Sequence, residues 1–146
     1  MCIRDSYITN QNRLLVFRHT EFPEAGIQVP AGTIEPGEDP PAAALREAQE
    51  ETGLTGLRLV RHLATEDIDL SARGFGWQRW HFFHLELPGD PPDTWIHWEE
   101  HASDGSQPIE FEFYWVPLDA VPPLMAAQHR QVAKIGGRVI ISRNSP

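Results

Sequence analysis

Cysteine and basic residues are both scarce in this sequence of 146 residues. The single cysteine, Cys2, excludes an internal disulfide and any metal site built from several thiolates. Lys and Arg number 12 against 21 Asp and Glu, and the resulting net charge of −9 disfavours sequence-independent binding of a nucleic-acid backbone. Apolar runs long enough to cross a bilayer are lacking, and so is the apolar core of a secretory signal. We therefore expect a cytoplasmic protein that binds neither a nucleic acid polymer nor a membrane.

The chain is too short for two ordinary domains and long enough to bury one core. Hydrophobic residues make up 40% of it, which is typical of a soluble globular protein. Residues 1–6 (MCIRDS) show neither strand alternation nor a helix cap, so we interpret them as a non-native or disordered segment. We predict a single domain over residues 7–146.

Local sequence signals predict both strands and helices. Helices are predicted over Pro40–Thr52, between the N-cap candidate Asp39 and the terminating Gly53, and over Val121–Ile135, before Gly136-Gly137. Because strands and helices do not alternate strictly, we predict an α/β fold with a mixed β-sheet covered by helices. Strand signals occur at Tyr7–Thr9, Arg13–Arg18, Ile27–Val29, Thr33–Glu35, Leu57–Leu63, Trp77–Leu87 and Ile109–Val116, and the stretch between the fifth and sixth of these is expected to be a loop.

The first predicted helix carries a cluster of carboxylates. Glu47, Glu50 and Glu51 stand at i, i+3 and i+4, so all three project from one side of the helix. Their mutual repulsion costs a few tenths of a kcal/mol per pair, about 0.2–0.5, and a divalent cation would reverse that sign. Arg46 lies one turn before Glu50 and can pair with it. The alternative interpretation of the glutamates alone is a solvated acidic helix face.

The framework around the glutamates favours the metal-binding interpretation. The segment Gly32–Leu54 (GTIEPGEDPPAAALREAQEETGL) resembles, without a gap, the signature GX5EX7REUXEEXGU of the Nudix hydrolase family, in which U is apolar. The resemblance implies an α/β/α sandwich around a mixed sheet and hydrolysis of a pyrophosphate linkage in a nucleoside diphosphate joined to another moiety. It also implies Mg²⁺ or Mn²⁺ as cofactor. The matching positions are Gly32, Glu38, Arg46, Glu47, Ala48, Glu50, Glu51, Gly53 and Leu54.

The same resemblance implies a role for each residue of this segment. The metal ligands are the Gly32 carbonyl and the carboxylates of Glu47, Glu50 and Glu51, and Glu47 is also a candidate to orient the attacking water. Arg46 joins the three glutamates as a catalytic residue. The structural positions of the segment are Glu38, which braces the loop, and Gly53.

The family often adds one more acid from the region before its last strand. Glu110 and Glu112 both lie on the polar face of Ile109–Val116, and we predict that Glu110 is the additional metal ligand because it is nearer the start of the strand. Ordinary solvent-facing alternation is the other interpretation of both residues.

The sequence gives little indication of which group is joined to the diphosphate in the substrate. Arg73, Trp77, Arg79 and Trp80 are candidates to bind the substrate, through phosphate contacts and stacking on a base. Nucleotide sugars, dinucleoside polyphosphates, nucleotide cofactors and nucleoside triphosphates all remain candidate substrates. The alternative function is a non-catalytic Nudix-like module that binds a nucleotide and regulates another process, and a homodimer is left open.

Overall fold

A computed structural model describes residues 2–99, 108–124 and 128–135. Seven strands and two helices occur in these ranges, together with short 3-10 turns at Pro23–Ala25 and Ser71–Arg73. The helices are α1 (Pro40–Thr52) and α2 (128–135). The strands are β1 (Cys2–Asn10), β2 (Arg13–His19), β3 (Ala31–Ile34), β4 (Arg58–Leu70), β5 (Gly76–Glu86), β6 (Thr94–Glu99) and β7 (Ile109–Pro117).

All seven strands belong to one mixed sheet. Its order is β4-β5-β1-β2-β7-β6, and β3 joins through β1. The β1–β5 pair is parallel, whereas the other named pairs are antiparallel. Strand β1 pairs with β3 over Cys2–Asp5 and with β2 over Thr9–Asn10, so two different strands flank its two halves. None of the described helices is long and apolar enough to cross a membrane.

A helix covers each face of the sheet. Ala44 and Ala48 of α1 pack in one core cluster with Ile8 of β1 and Phe113 of β7. On the other face, α2 packs against a second cluster, whose members include Tyr7, Leu14, Val16, Phe82, Val132 and Ile135. This arrangement confirms the predicted α/β/α sandwich with a mixed sheet.

The predicted bounds of α1 are confirmed at both ends. The Asp39 carboxylate accepts a hydrogen bond from the Ala42 backbone N–H at 3.3 Å, and Pro40 occupies the first turn, where no intrahelical N–H bond is lost. Gly53 has φ of 79°, in the left-handed region that favours glycine, and its N–H bonds to the Gln49 carbonyl. Local signals alone were sufficient for this helix.

Residues 2–6 are ordered, which corrects the expectation of a disordered segment, while their interpretation as non-native sequence stays a prediction. They form the start of β1, between β3 on one side and β5 on the other, and Arg4, Asp5 and Ser6 are completely buried. This polar run is accommodated because Arg4 has carboxylate partners on α1. Met1 lies outside the described residues.

Two strands and one helix boundary also differ from the prediction. The expected loop after Leu63 is largely a continuation of β4, stabilised by cross-strand pairs such as Asp67 with Arg79. Strand β6 was not predicted at all. The second helix does not begin at Val121, because Leu124 forms a parallel bridge with Ile27 instead. Its predicted end at residues 136–137 lies outside the described residues.

The buried carboxyl of Asp5 predicts how stability depends on pH. Burial raises its pKa from 3.8 to about 7 against the opposing charge of Arg4. Between these values the folded protein holds a proton that the unfolded chain has released, so stability falls as pH rises through this window. We expect the melting temperature in chelator to fall from pH 5 to pH 8, and Asp5→Asn to reduce that fall.

The control is Asp119→Asn, which alters an exposed aspartate and should leave the pH dependence unchanged. Identical pH slopes for Asp5→Asn and the wild type in differential scanning fluorimetry would contradict a protonated Asp5.

Candidate active site

A cleft of about 780 Å³ lies between the acidic side of α1, strand β3 and the β2–β7–β6 part of the sheet. One wall is acidic and is formed by the α1 glutamates and Glu38. The opposite wall is aromatic and is formed by side chains of β2, β6 and β7. Its members are Phe17, His19, His97, Trp98, Phe111 and Phe113, with Glu99 at its edge.

Arg46 ties the loop before α1 to the acidic helix. Its guanidinium donates to Glu38 and also lies 3.4 Å from Glu47 Oε1 and 3.5 Å from Glu50 Oε1. Glu38 in turn accepts from the Glu35 backbone N–H at 2.9 Å, and this bond, followed by the bond from Arg46, lowers the pKa of the Glu38 carboxyl. The expected pairing of Arg46 with Glu50 is present, and Glu38 braces the loop.

Arg4 reaches the same carboxylates from the sheet. Its Nη2 donates to Glu51 Oε1 at 2.7 Å and to Glu47 Oε2 at 3.0 Å, while the whole residue is completely buried. Burial raises the pKa of Glu51 to about 7, Arg4 opposes this increase, and the charges of Glu47 and Glu99 add to it. The repulsion expected among the glutamates is therefore offset by one arginine on each side of the cluster.

The carboxylate cluster has the oxygen donors that a small divalent cation prefers, and Arg4 contacts two of its members. A guanidinium nitrogen already stands between Glu47 and Glu51, which shows that the carboxylates converge on one positive group. A Cβ added to Gly32 would lie 3.0 Å from an oxygen of each of these glutamates, so only a residue without a side chain leaves this space open. Carboxylate and carbonyl oxygens are the ligands that Mg²⁺ prefers.

Arg4 and Arg46 already form ion pairs with the carboxylates of the cluster. Across the described ranges, no three acidic, imidazole or thiol side chains converge closely enough to hold a metal ion in this arrangement. Arg4 lies between Glu47 and Glu51, and Arg46 engages Glu50. Metal binding at this position therefore requires the carboxylates to exchange contacts with arginine for contacts with the ion.

The structure does not bring Glu110 to this cluster. Side chains alternate along a strand, and Phe111 and Phe113 of β7 point into the cleft, so Glu110 and Glu112 lie on the opposite face. Glu112 instead pairs with Arg18 at 2.6 Å. The carboxylate that does line the cleft from this side is Glu99, at the end of β6.

The four predicted substrate residues lie around the β4–β5 hairpin, and none of them lines the cleft. Arg79 pairs with Asp67 at 2.8 Å. Trp80 packs against the core on the α2 side, and Trp77 is 65% exposed. Arg73 lies in the 3-10 turn at the tip. Their role in binding the substrate stays a prediction.

Strand β6, which the sequence analysis missed, fixes the C-terminal end of α1. Trp95 Nε1 donates to the Thr52 carbonyl at 2.8 Å, and a ring nitrogen of His97 lies 3.0 Å from the Glu50 carbonyl. These bonds satisfy carbonyls that have no partner inside the helix. A Cβ at Gly53 would lie 3.0 Å from His97, so glycine is needed here for close approach as well as for its φ. The repeated β-favouring residues of TWIHWE were the available signal.

The fold and the cleft define an α/β/α sandwich protein with an acidic cleft. Residues 4–134 match the NUDIX domain family. The chain therefore belongs to the Nudix hydrolase family, which confirms the resemblance found in Gly32–Leu54.

Comparisons with individual proteins agree with this membership. An RNA pyrophosphohydrolase of Brucella ovis is 31% identical over 115 residues, which cover 72% of this chain and 62% of that protein. The chain thus spans less than two thirds of that relative's length. Two solved structures share the fold. A MutT NUDIX hydrolase from Burkholderia pseudomallei is 22% identical with a TM-score of 0.59, covering 92% of this chain and 96% of that one. The NUDIX domain of Shewanella oneidensis NrtR, complexed with ADP ribose, is 17% identical with a TM-score of 0.62, covering 95% and 88%.

Proposed function

We propose that this protein is a divalent-metal-dependent pyrophosphohydrolase that acts on a nucleoside diphosphate derivative. The observation that carries the proposal is the convergence of Glu47 and Glu51 below Gly32, in a cleft whose opposite wall is aromatic. One wall suits a cation-bound pyrophosphate and the other suits a flat ring. The residues proposed to hold the cation are Gly32, Glu47, Glu50 and Glu51.

The acidic wall explains why a cation is needed. A pyrophosphate is itself anionic, so it is repelled by the glutamates unless positive charge lies between them. Arg46 supplies part of that charge beside Glu50, and its contact with Glu47 keeps this carboxylate oriented toward the cleft. The chemistry supplied by Mg²⁺ or Mn²⁺ in such a site is neutralisation of phosphate charge and activation of water. Glu47 is proposed to accept the proton of the attacking water.

The aromatic wall is proposed to bind the base of the nucleoside. The ring centroids of Phe17 and Phe111 are 4.7 Å apart, and His19 packs edge-on against Phe111 at the same distance. These three rings line the cleft, and the base is proposed to stack on them. Stacking of a base on an aromatic side chain contributes about 1–3 kcal/mol.

A second candidate substrate is an RNA that carries a polyphosphate end, which the names of the Brucella relatives favour. The net charge of −9 favours small molecules instead. A panel of nucleotide sugars, dinucleoside polyphosphates, nucleotide cofactors, nucleoside triphosphates and triphosphorylated RNA, assayed with Mg²⁺ and then with excess chelator, separates these classes. Ligand-induced stabilisation without any turnover would instead support the non-catalytic binding module.

Removing one carboxylate charge from α1 tests the metal site. Glu50→Gln keeps size and helix propensity, and Glu50 is exposed, so the free energy of unfolding without metal should change by no more than about 0.5 kcal/mol. Turnover of the panel substrate should fall about 100-fold or more. The increase in melting temperature caused by Mg²⁺ should shrink, because bound ligand stabilises the folded state.

The control for this substitution is Glu24→Gln, at an exposed glutamate outside the cleft. Wild-type turnover in Glu50→Gln would show that the acidic side of α1 is not the reaction site.

The additional acid is proposed to be Glu99 instead of Glu110. Because Glu99 lines the cleft and adds negative charge near Glu51, Glu99→Gln should lower turnover and raise the Mg²⁺ concentration needed for half-maximal rate. Glu110→Gln, on the opposite face of the sheet, should change neither quantity. The reverse pattern in a Mg²⁺ titration of both variants would restore Glu110 as the ligand.

A ring inside the cleft and a ring outside it test where the base binds. His19→Ala should raise KM by about 5-fold to 150-fold, which corresponds to a loss of about 1–3 kcal/mol of stacking. Trp77→Ala removes an exposed ring that does not line the cleft, so its KM should stay at the wild-type value. An increase confined to Trp77→Ala would move the base to the β4–β5 hairpin.

A further inference from the structure

The side chain of Gln128 forms a clamp on the backbone of Val29. Its Oε1 accepts a hydrogen bond from the Val29 N–H at 3.0 Å, and its Nε2 donates to the Val29 carbonyl at 3.3 Å. One amide thereby satisfies both polar backbone groups of a residue that is completely buried. A neighbouring strand would satisfy them in the same way, so Gln128 acts as a one-residue substitute for a strand.

Gln128 is itself held in place. It is 3% exposed, and its backbone carbonyl accepts a hydrogen bond from the Tyr7 hydroxyl at 2.7 Å. Loss of the clamp would leave the N–H and the carbonyl of Val29 buried without these partners, which is costly. The clamp is therefore a stable link between α2 and the segment that contains Val29.

Strand β2 anchors the same segment on its other edge. The Gln28 N–H donates to the Phe17 carbonyl at 3.0 Å, and the Phe17 N–H donates to the Gln28 carbonyl at 2.9 Å. Gln28 and Val29 thus direct their backbone groups to opposite sides, as successive residues of a strand do. Because β2 binds one side and Gln128 binds the other, the segment is fixed in two directions.

The clamped segment leads directly into the proposed metal site. Gly32 follows Val29 by three residues, and a Cβ added to Gly32 would lie 3.0 Å from an oxygen of Glu47 and 3.0 Å from an oxygen of Glu51. Pro30 lies between Val29 and Gly32. Proline fixes its own φ and restricts the residue before it to extended backbone, so this part of the chain is stiff. A shift of Val29 therefore moves the backbone that enters Gly32.

We propose that Gln128 is a positioning residue for the metal site, although α2 lies on the opposite face of the sheet from the cleft. By fixing Val29, it holds the Gly32 backbone beside Glu47 and Glu51. The inference rests on the proposed function, because it requires Gly32 and these glutamates to bind the cation. Gln128 contacts neither the cation nor the substrate in this account.

The test is a Mn²⁺ titration of the metal-free full chain, read by electron paramagnetic resonance of the free ion. Gln128→Met keeps the length of the side chain and removes both amide groups, so Val29 loses both bonds. Mn²⁺ should bind about 2-fold to 30-fold more weakly than in the wild type, which corresponds to the coupling that a residue linking two sites typically carries. Wild-type Mn²⁺ affinity in a folded Gln128→Met would overturn the proposal.

Gln131 offers a matched control on the same helix. It is also 3% exposed, but its Nε2 donates to Glu66 of β4 and not to the segment that contains Val29. Gln131→Met should lower the melting temperature of the metal-free protein, as Gln128→Met does, because each leaves a buried polar group without its partner. Only Gln128→Met should weaken Mn²⁺ binding. An equal weakening in both variants would show that the cause is lost stability and would remove the positioning role.

Steady-state kinetics on the substrate that the panel identifies gives an independent readout. Gln128→Met should lower kcat and raise the Mg²⁺ concentration needed for half-maximal rate. KM for the substrate at saturating Mg²⁺ should stay at the wild-type value, because the clamp does not belong to the aromatic wall. A raised KM with wild-type kcat would assign Gln128 to substrate binding instead and would contradict the inference.

The wild type alone provides a test that does not depend on whether a variant folds. Coupling between two sites is reciprocal, so Mg²⁺ binding should change the surroundings of the clamp. In NMR spectra of nitrogen-labelled protein, Mg²⁺ should shift the side-chain amide signals of Gln128 more than those of Gln131. Equal shifts, or none, would overturn the role of Gln128 and leave the metal site intact. A wild type that binds no Mn²⁺ would overturn the proposed function, and this inference with it.

Discussion

Electrostatic repulsion among Glu47, Glu50 and Glu51 is the constraint around which the site is built. Helical spacing forces the three carboxylates onto one side of α1, and a helix gains no stability from such a face. Two arginines offset this repulsion: Arg46 on the helix and Arg4 on the sheet both form ion pairs with these carboxylates. Arg4 and Arg46 therefore contact the acidic side of α1, while Ala44 and Ala48 of the same helix pack into the core.

Docking of α1 is reinforced at its C-terminal end. The indole of Trp95 and the ring of His97 bond carbonyls of the last turn, and Gly53 lets β6 approach without a clash. Strand β6 also carries Glu99 to the cleft. This edge strand thus holds the helix in place and lines part of the cleft, so its substitutions are expected to affect both stability and substrate binding.

Sequence reasoning succeeded where the signal is local. The cap at Asp39, the left-handed Gly53 and the spacing of the glutamates all act within a few residues, and α1 was predicted with its exact bounds. The ion-pair partner of Glu51 could not be predicted from local sequence signals. Arg4 lies 47 residues away and stands in a polar run that lacks strand alternation. Glu99 was missed for a related reason: nothing local shows that TWIHWE pairs with β7, and without that pairing Glu110 was the acid nearest the expected position.

The parallel pairing of β1 with β5 has a consequence for how the chain folds. Tyr7 pairs with His84, so β1 is synthesised long before the strand with which it pairs in parallel. Contacts this distant in sequence slow folding, and strands left unpaired in the meantime are prone to aggregate. Polar residues within β1, among them Thr9 and Asn10, interrupt its apolar stretch until β5 has been synthesised. The polar residues that are buried in the folded sheet therefore also make the unpaired strand less apolar.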